Sequence, residues 1–252
     1  MSVLKIADAL FDMEQKMKNG YIPANLNTYK QSDNWQMTVV YSYVGEDAMK
    51  DYVIVHEMQK DIESILEEFL KEYSPIAVAP YEMDGEVFVV LVLKSSGETD
   101  HILSTEKSQA AFEVERAEML NRCYYPVVIR RRVVENGESP IYVIYEKGAH
   151  VFTVSDMTLP NLINRAEEEK KMGNFVTDVS YDVNEWGRVV LTAIFNEGPF
   201  EAKTCVADLI YDKGSLLSNA QLFRSYGYHA VALTPLIDVS FSQPAFLAYY
   251  WV

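Results

Sequence analysis

Apolar positions in this chain change their period at regular intervals. From Thr105 to Arg122 there is neither Gly nor Pro. Ala110, Ala111, Phe112, Val114, Ala117, Met119 and Leu120 recur there at helical spacing among charged residues, which predicts an amphipathic helix. Ser104 or Thr105 is expected to cap its start, and the helix is expected to end near Cys123. Tyr124 to Val134 follow as a β-branched and aromatic run, the composition of a strand. Asn136-Gly137 is a strong hairpin signal, and Ile141 to Gly148 return as a second strand. His101 to Ser104, ahead of the helix, read as a short leading strand.

The same plan occurs five times. The segments Asn19 to Tyr29, Lys71 to Tyr81, Arg122 to Arg132, Met172 to Asp182 and Tyr226 to Leu236 align where a helix gives way to a strand. Their junction residues are Gly20, Glu72, Cys123, Gly173 and Gly227, spaced by 52, 51, 50 and 54 residues. The other helices are expected at about 3–19, 58–72, 157–172 and 215–226. Hairpin turns are expected at 30–34, 83–85, 184–187 and 238–244, and return strands at 35–43, 86–94, 188–195 and 245–252. Leading strands are expected at 52–57, 150–156 and 203–211, with none in the first repeat. Gly20, Gly173 and Gly227 suit a left-handed helix terminus; Glu72 and Cys123 depart from that, and their junctions are expected to close differently.

The unit is therefore β-α-β-β, and the fold class is α/β in the sense of an α+β repeat. One repeat domain fills residues 1–252, with units at about 1–47, 48–97, 98–148, 149–198 and 199–252. One helix and one hairpin cannot bury two apolar faces alone, so neighbouring units must complete each other's cores. A closed or nearly closed pseudo-five-fold, propeller-like ring is expected, with an open curved array as the alternative. Closure protects the sheet edges at the two ends.

Composition narrows the function. Apolar residues make up 49% and charged residues 23% of the 252 residues, which excludes a disordered chain. The net charge of −15 repels phosphate backbones, so no nucleic-acid partner is expected. The two cysteines, Cys123 and Cys205, fit neither a disulfide framework nor a metal-ligand spacing. Both are expected to behave as small buried hydrophobes. The N-terminal stretch carries acids and lacks the apolar core of a signal peptide, and the longest apolar runs, such as Val87 to Leu93, are too short to span a bilayer. A cytoplasmic protein with no membrane partner is the expectation.

The repeat resembles that of the fungal polyglycine hydrolases, also described as a bacterial tandem repeat. The shared pattern is an apolar lead, a Ser/Thr near the helix start, a Phe in mid-helix, the element GYxP, then strand, turn and strand. GYxP is complete at Gly20-Tyr21-Ile22-Pro23. Tyr73 and Pro75, and Tyr124 and Pro126, keep two of its residues, Gly173 keeps one, and Gly227-Tyr228 lack the Pro. The resemblance implies a non-catalytic region that in that family lies beside a β-lactamase-like serine hydrolase domain. Five repeats leave no length for such a domain, so it implies the accessory part alone and transfers no catalytic residue.

Candidate chemistry is sparse. Ser104-Thr105-Glu106-Lys107 matches S-x-x-K, but no K-T-G or S-D-N partner accompanies it, Lys203-Thr204-Cys205 being a near miss; Ser104 is simpler as a helix cap. His56, His101, His150 and His229 form no ligand pair, and His101 and His150, nearly equivalent in their repeats, are expected at strand starts. No metal and no cofactor are expected. Cys205 with Asp208 nearby admits a pentein-like hydrolase, the five-fold α/β class with a Cys nucleophile, although a local signature is missing. Arg130 and Arg132 share one face of a strand and Arg131 takes the other. The pair either holds a carboxylate or phosphate or neutralises acids of neighbouring repeats. Aromatic residues recur on the return strands and are mostly core; Tyr142, Tyr249 and Trp251, with Arg130 and Arg132, are the binding candidates. The expectation is a non-enzymatic repeat protein that binds a protein, peptide or polymer partner. The alternative is an enzyme, hydrolase-like or pentein-like, with its site at the ring centre or between repeats.

Overall fold

The structure, a computed structural model, describes residues 1–46, 48–69, 72–95, 100–132, 134, 139–183, 188–197, 205–236 and 245–251. The fold is α+β, built from five three-stranded antiparallel sheets. The first unit comprises β1 (Ser2–Lys5), α1 (Ile6–Met17), β2 (Tyr21–Gln31) and β3 (Asn34–Tyr43); a short helix, α2 (Ala48–Asp51), leads to the second, β4 (Tyr52–Met58), α3 (Gln59–Phe69), β5 (Tyr73–Met83) and β6 (Glu86–Ser95). The third has β7 (His101–Lys107), α4 (Gln109–Asn121), β8 (Tyr124–Arg131) and β9 (Ile141–Lys147). The fourth has β10 (Val151–Met157), α5 (Leu159–Lys171), β11 (Phe175–Val183) and β12 (Val189–Asn196). The fifth has β13 (Cys205–Ile210), α6 (Lys213–Ser225), β14 (His229–Leu236) and β15 (Ala245–Trp251). The turns expected at Asn136-Gly137, 184–187 and 238–244 lie outside the described residues.

In every unit the last strand is central and pairs antiparallel with both others. Each of these strands carries five or six consecutive buried residues, as a ladder flanked on both sides requires. A β-bulge recurs in all five second strands, between Pro23 and Asn25, Pro75 and Ala77, Pro126 and Val128, Val176 and Asp178, and Ala230 and Ala232. The extra residue re-aims the side chains beyond it. Two sets of equivalent, buried positions result: Asn25, Ala77, Val128, Asp178 and Ala232, then, two residues on, Asn27, Ala79, Arg130, Ser180 and Thr234.

The cores lie between units rather than within them. One joins α1 and β3 of the first unit to β5 and β6 of the second; another joins the second unit to the third, and a third the third to the fourth. The largest combines the fourth and fifth units and takes in Val3, Tyr29 and Val40 of the first. The second strands meet in series, β2 with β5, β5 with β8, β8 with β11, β11 with β14, and β14 with β2. No strand ladder joins one sheet to the next among the described residues, so the sheets do not merge there into a barrel. Among the described residues no helix is long and apolar enough to cross a membrane.

Four expectations need correction. The first repeat does have a leading strand: β1 pairs with β3 from Ser2 opposite Val39 to Lys5 opposite Gln36. The third helix begins beyond Ser104, because β7 continues through a bulge in which Glu106 adopts φ 51°; its cap is Ser108, whose hydroxyl accepts from the Ala111 amide at 3.2 Å. The Cys123 junction closes as the glycine ones do, and the Glu72 junction forms the same hydrogen bond. The amides of Gly20, Glu72, Cys123, Gly173 and Gly227 each donate to the carbonyl three residues earlier, and Cys123 accepts φ 62° to do so. At that position Cys123 is exposed instead of buried.

Candidate functional site

The bulge in the second strands brings polar side chains of several units to one place. Asp178 of β11 is its centre. Its Oδ1 accepts from Arg130 Nη2 at 2.8 Å and Asn25 Nδ2 at 2.7 Å, and its Oδ2 from Arg130 Nη1 at 2.6 Å and the Ile129 amide at 3.3 Å. Four donors saturate a carboxylate. Arg130 also donates through Nε to the Leu26 carbonyl and through Nη1 to the Ile129 carbonyl. Beside it, Asn27 donates to the Leu233 carbonyl at 2.9 Å and Thr38 Oγ1 to the same oxygen at 3.1 Å. Arg130 and Asp178 are only 2% and 3% exposed. A buried charge is tolerable when paired and hydrogen-bonded in this way.

The other two arginines of the run are also strut-like. Arg131 donates to Gln109 Oε1 at 2.6 Å and pairs with Asp182 at 3.3 Å. Arg132 pairs with Glu82 at 2.5 Å and with Glu106 at 3.8 Å. All three guanidiniums therefore meet carboxylates, mostly of the second and fourth units. Of the two alternatives the sequence left open, the arrangement matches neutralisation of neighbouring acids.

The aromatic candidates separate by position. Tyr142 and Tyr249 are 0% and 1% exposed and belong to the core; Tyr142 Oη donates to Glu106 at 3.2 Å. Burial drives the phenol of Tyr142 far above its ordinary range. Trp251, half-buried at the end of β15, packs edge-on against Phe175 at 5.9 Å. Cys205 and His229 lie opposite Trp251 from either side in the fifth sheet, while Asp208 accepts from Asn219 at 2.9 Å. Ser104 is buried in β7 and its hydroxyl has no partner among the described residues.

At one end of the polar centre the surface is concave. A depression of about 250 Å³ reaches Asn25 and Asp178 and passes over His101 and Glu146; a second, of about 530 Å³, extends from Glu146 to His150 and Glu197. His101 Nε2 lies 3.6 Å from Glu146 Oε2. The neighbouring imidazole holds the Glu146 carboxyl below its ordinary range, against the opposing effect of burial. His101 opens β7 opposite Glu146, whereas His150 precedes β10, so the two histidines are offset by one position. Among the described residues no three His, Cys, Asp or Glu side chains converge as a metal-ligand set.

Sequence reasoning missed Asp178, Asn25, Glu146 and Glu197. For the first two a signal existed: each is a polar residue at the offset where the second strands of the other three units carry Ala77, Val128 and Ala232. The two glutamates carry no such mark, because strand-end acids are common and only packing brings these to one depression. No protein-family model and no curated protein matches this chain.

Proposed function

We propose that the five units form a closed pseudo-five-fold ring that acts as a non-enzymatic binding module for a protein, peptide or polymer. Closure is supported by the meeting of β14 with β2 and by the core that combines the first, fourth and fifth units. The resemblance to the accessory repeats of polyglycine hydrolases fits this reading and stays part of the proposal.

The observation that carries the binding reading is the saturated Arg130–Asp178 centre. On the proposed ring axis, where a five-fold enzyme would keep its reacting groups, the ionisable side chains are spent on each other and on backbone carbonyls. What remains for a ligand is the outer surface, as in other repeat assemblies.

The test is an affinity pull-down with the purified protein, followed by mass spectrometry that also detects small molecules. A stoichiometric macromolecular partner is expected. A small molecule retained without any macromolecule would overturn the reading and favour the enzyme alternative, with its site in the depression over His101 and Glu146.

A further inference from the structure

The two depressions are one groove, since Val127, Glu146 and Thr177 line both. It follows the seam between the third and fourth units, from the polar centre outward to the loop at Gly148. The larger part, about 530 Å³, has the size of a ligand pocket. Val127 and Val151 give it an apolar lining, and Glu146 and Glu197 supply one carboxylate from each side of the seam.

Those carboxylates differ from Asp178, Asp182 and Glu82, each of which meets an arginine. Among the described residues neither is ion-paired to a lysine or arginine. Glu146 meets only the His101 imidazole, with Lys94 acting from farther away, and Glu197 is exposed. Asp178, at the inner end, is saturated and offers no competing charge. The net charge of −15 adds a long-range field of the same sign. Methylenes against an apolar wall with a cationic head at a carboxylate is how lysine and arginine side chains bury themselves.

We infer that this groove, between Glu146 and Glu197 at the seam of the third and fourth units, receives a lysine or arginine side chain of a basic peptide segment. The inference rests on the binding-module reading and names the chemistry of its partner. The field that attracts a basic segment excludes an acidic one.

The probe is a fluorescein-labelled hexalysine peptide titrated into the full-length protein. Saturable binding that weakens with added salt is expected. Glu146→Gln with Glu197→Gln should raise Kd by about tenfold or more. Glu67→Gln with Glu118→Gln, which removes the same charge from exposed helix positions, should change it less than about threefold. Ala149→Lys keeps both carboxylates and sets a tethered cation in the groove, so it should weaken binding as well. Equal weakening by the two glutamate pairs, or no saturable binding, would overturn the inference. A pull-down partner retained by the groove variant as well as by the wild type leaves the binding-module reading standing and removes the groove from it. Groove-dependent hexalysine binding with no macromolecule retained by the wild type does the reverse.

Discussion

Cys123 holds a left-handed conformation that costs a non-glycine residue about 1–2 kcal/mol. Because its side chain is exposed, little packing is lost on removing it. Cys123→Gly should therefore stabilise the protein by about 0.5–1 kcal/mol after the added freedom of the unfolded chain is subtracted, read as a rise in the urea midpoint at unchanged slope. The glycine junctions are not equal to one another. A Cβ on Gly20 would collide with the Gly45 carbonyl oxygen, whereas one on Gly173 meets nothing within 4 Å. Gly20→Ala should thus cost clearly more than Gly173→Ala, which carries only the backbone penalty of about 1 kcal/mol. His56 makes a different residue-scale prediction. It is bonded to Tyr81 Oη at 2.7 Å and stacked on that ring, and burial lowers its pKa from 6.5. A base whose folded pKa is lowered gives up stability as pH falls through its unfolded value, since the unfolded chain then binds the proton first. Stability should decline from about pH 7.5 to about 5.5, and by less in His56→Gln, whose amide does not titrate; equal declines in the two proteins would show that His56 is not the source.

At the scale of elements, helices and return strands were legible because periodicity reports them directly: α4, β9 and the four later leading strands fall where apolar spacing puts them. The misplaced start of α4 has a local cause. Ser104 and Ser108 are both acceptable caps by residue type, and only the bulge at Glu106 decides between them by extending β7. β1 was invisible for a related reason, since four residues are too few for an alternation to emerge beside a helix that begins at Ile6. The two serines test this account. Ser108→Ala should cost about 1 kcal/mol through loss of the Ala111 amide's acceptor. Ser104→Ala should change stability by less than about 0.5 kcal/mol, or raise it, because a buried hydroxyl without a partner contributes only its desolvation. Comparable losses at both positions, measured by chemical denaturation, would restore Ser104 as the cap.

For the molecule as a whole, the repeat period revealed the number of units but not which residues they share. The Arg130–Asp178 centre depends on contacts 48 residues apart, and Asn25 reaches Asp178 across 153 residues; no local pattern encodes such a meeting. The groove was less legible still, since it needs the third and fourth units side by side. The same long-range contact offers a direct measure of closure. In a closed ring Asn25 of the first unit and Asp178 of the fourth are neighbours, whereas an open array sets the first and fourth units apart. Side chains that touch couple by about 0.5–3 kcal/mol in a double-mutant cycle, and distant ones add to within about 0.5 kcal/mol. Asn25→Ala, Asp178→Ala and the double variant should show coupling of about 1 kcal/mol or more, with Asp178→Ala alone costing about 3–5 kcal/mol because it strands the buried Arg130 guanidinium. Should Asp178→Ala prove too unstable to measure, Asp178→Asn keeps the shape and an acceptor and supports the same cycle. Strict additivity would separate the two units in solution and replace the ring by the open array.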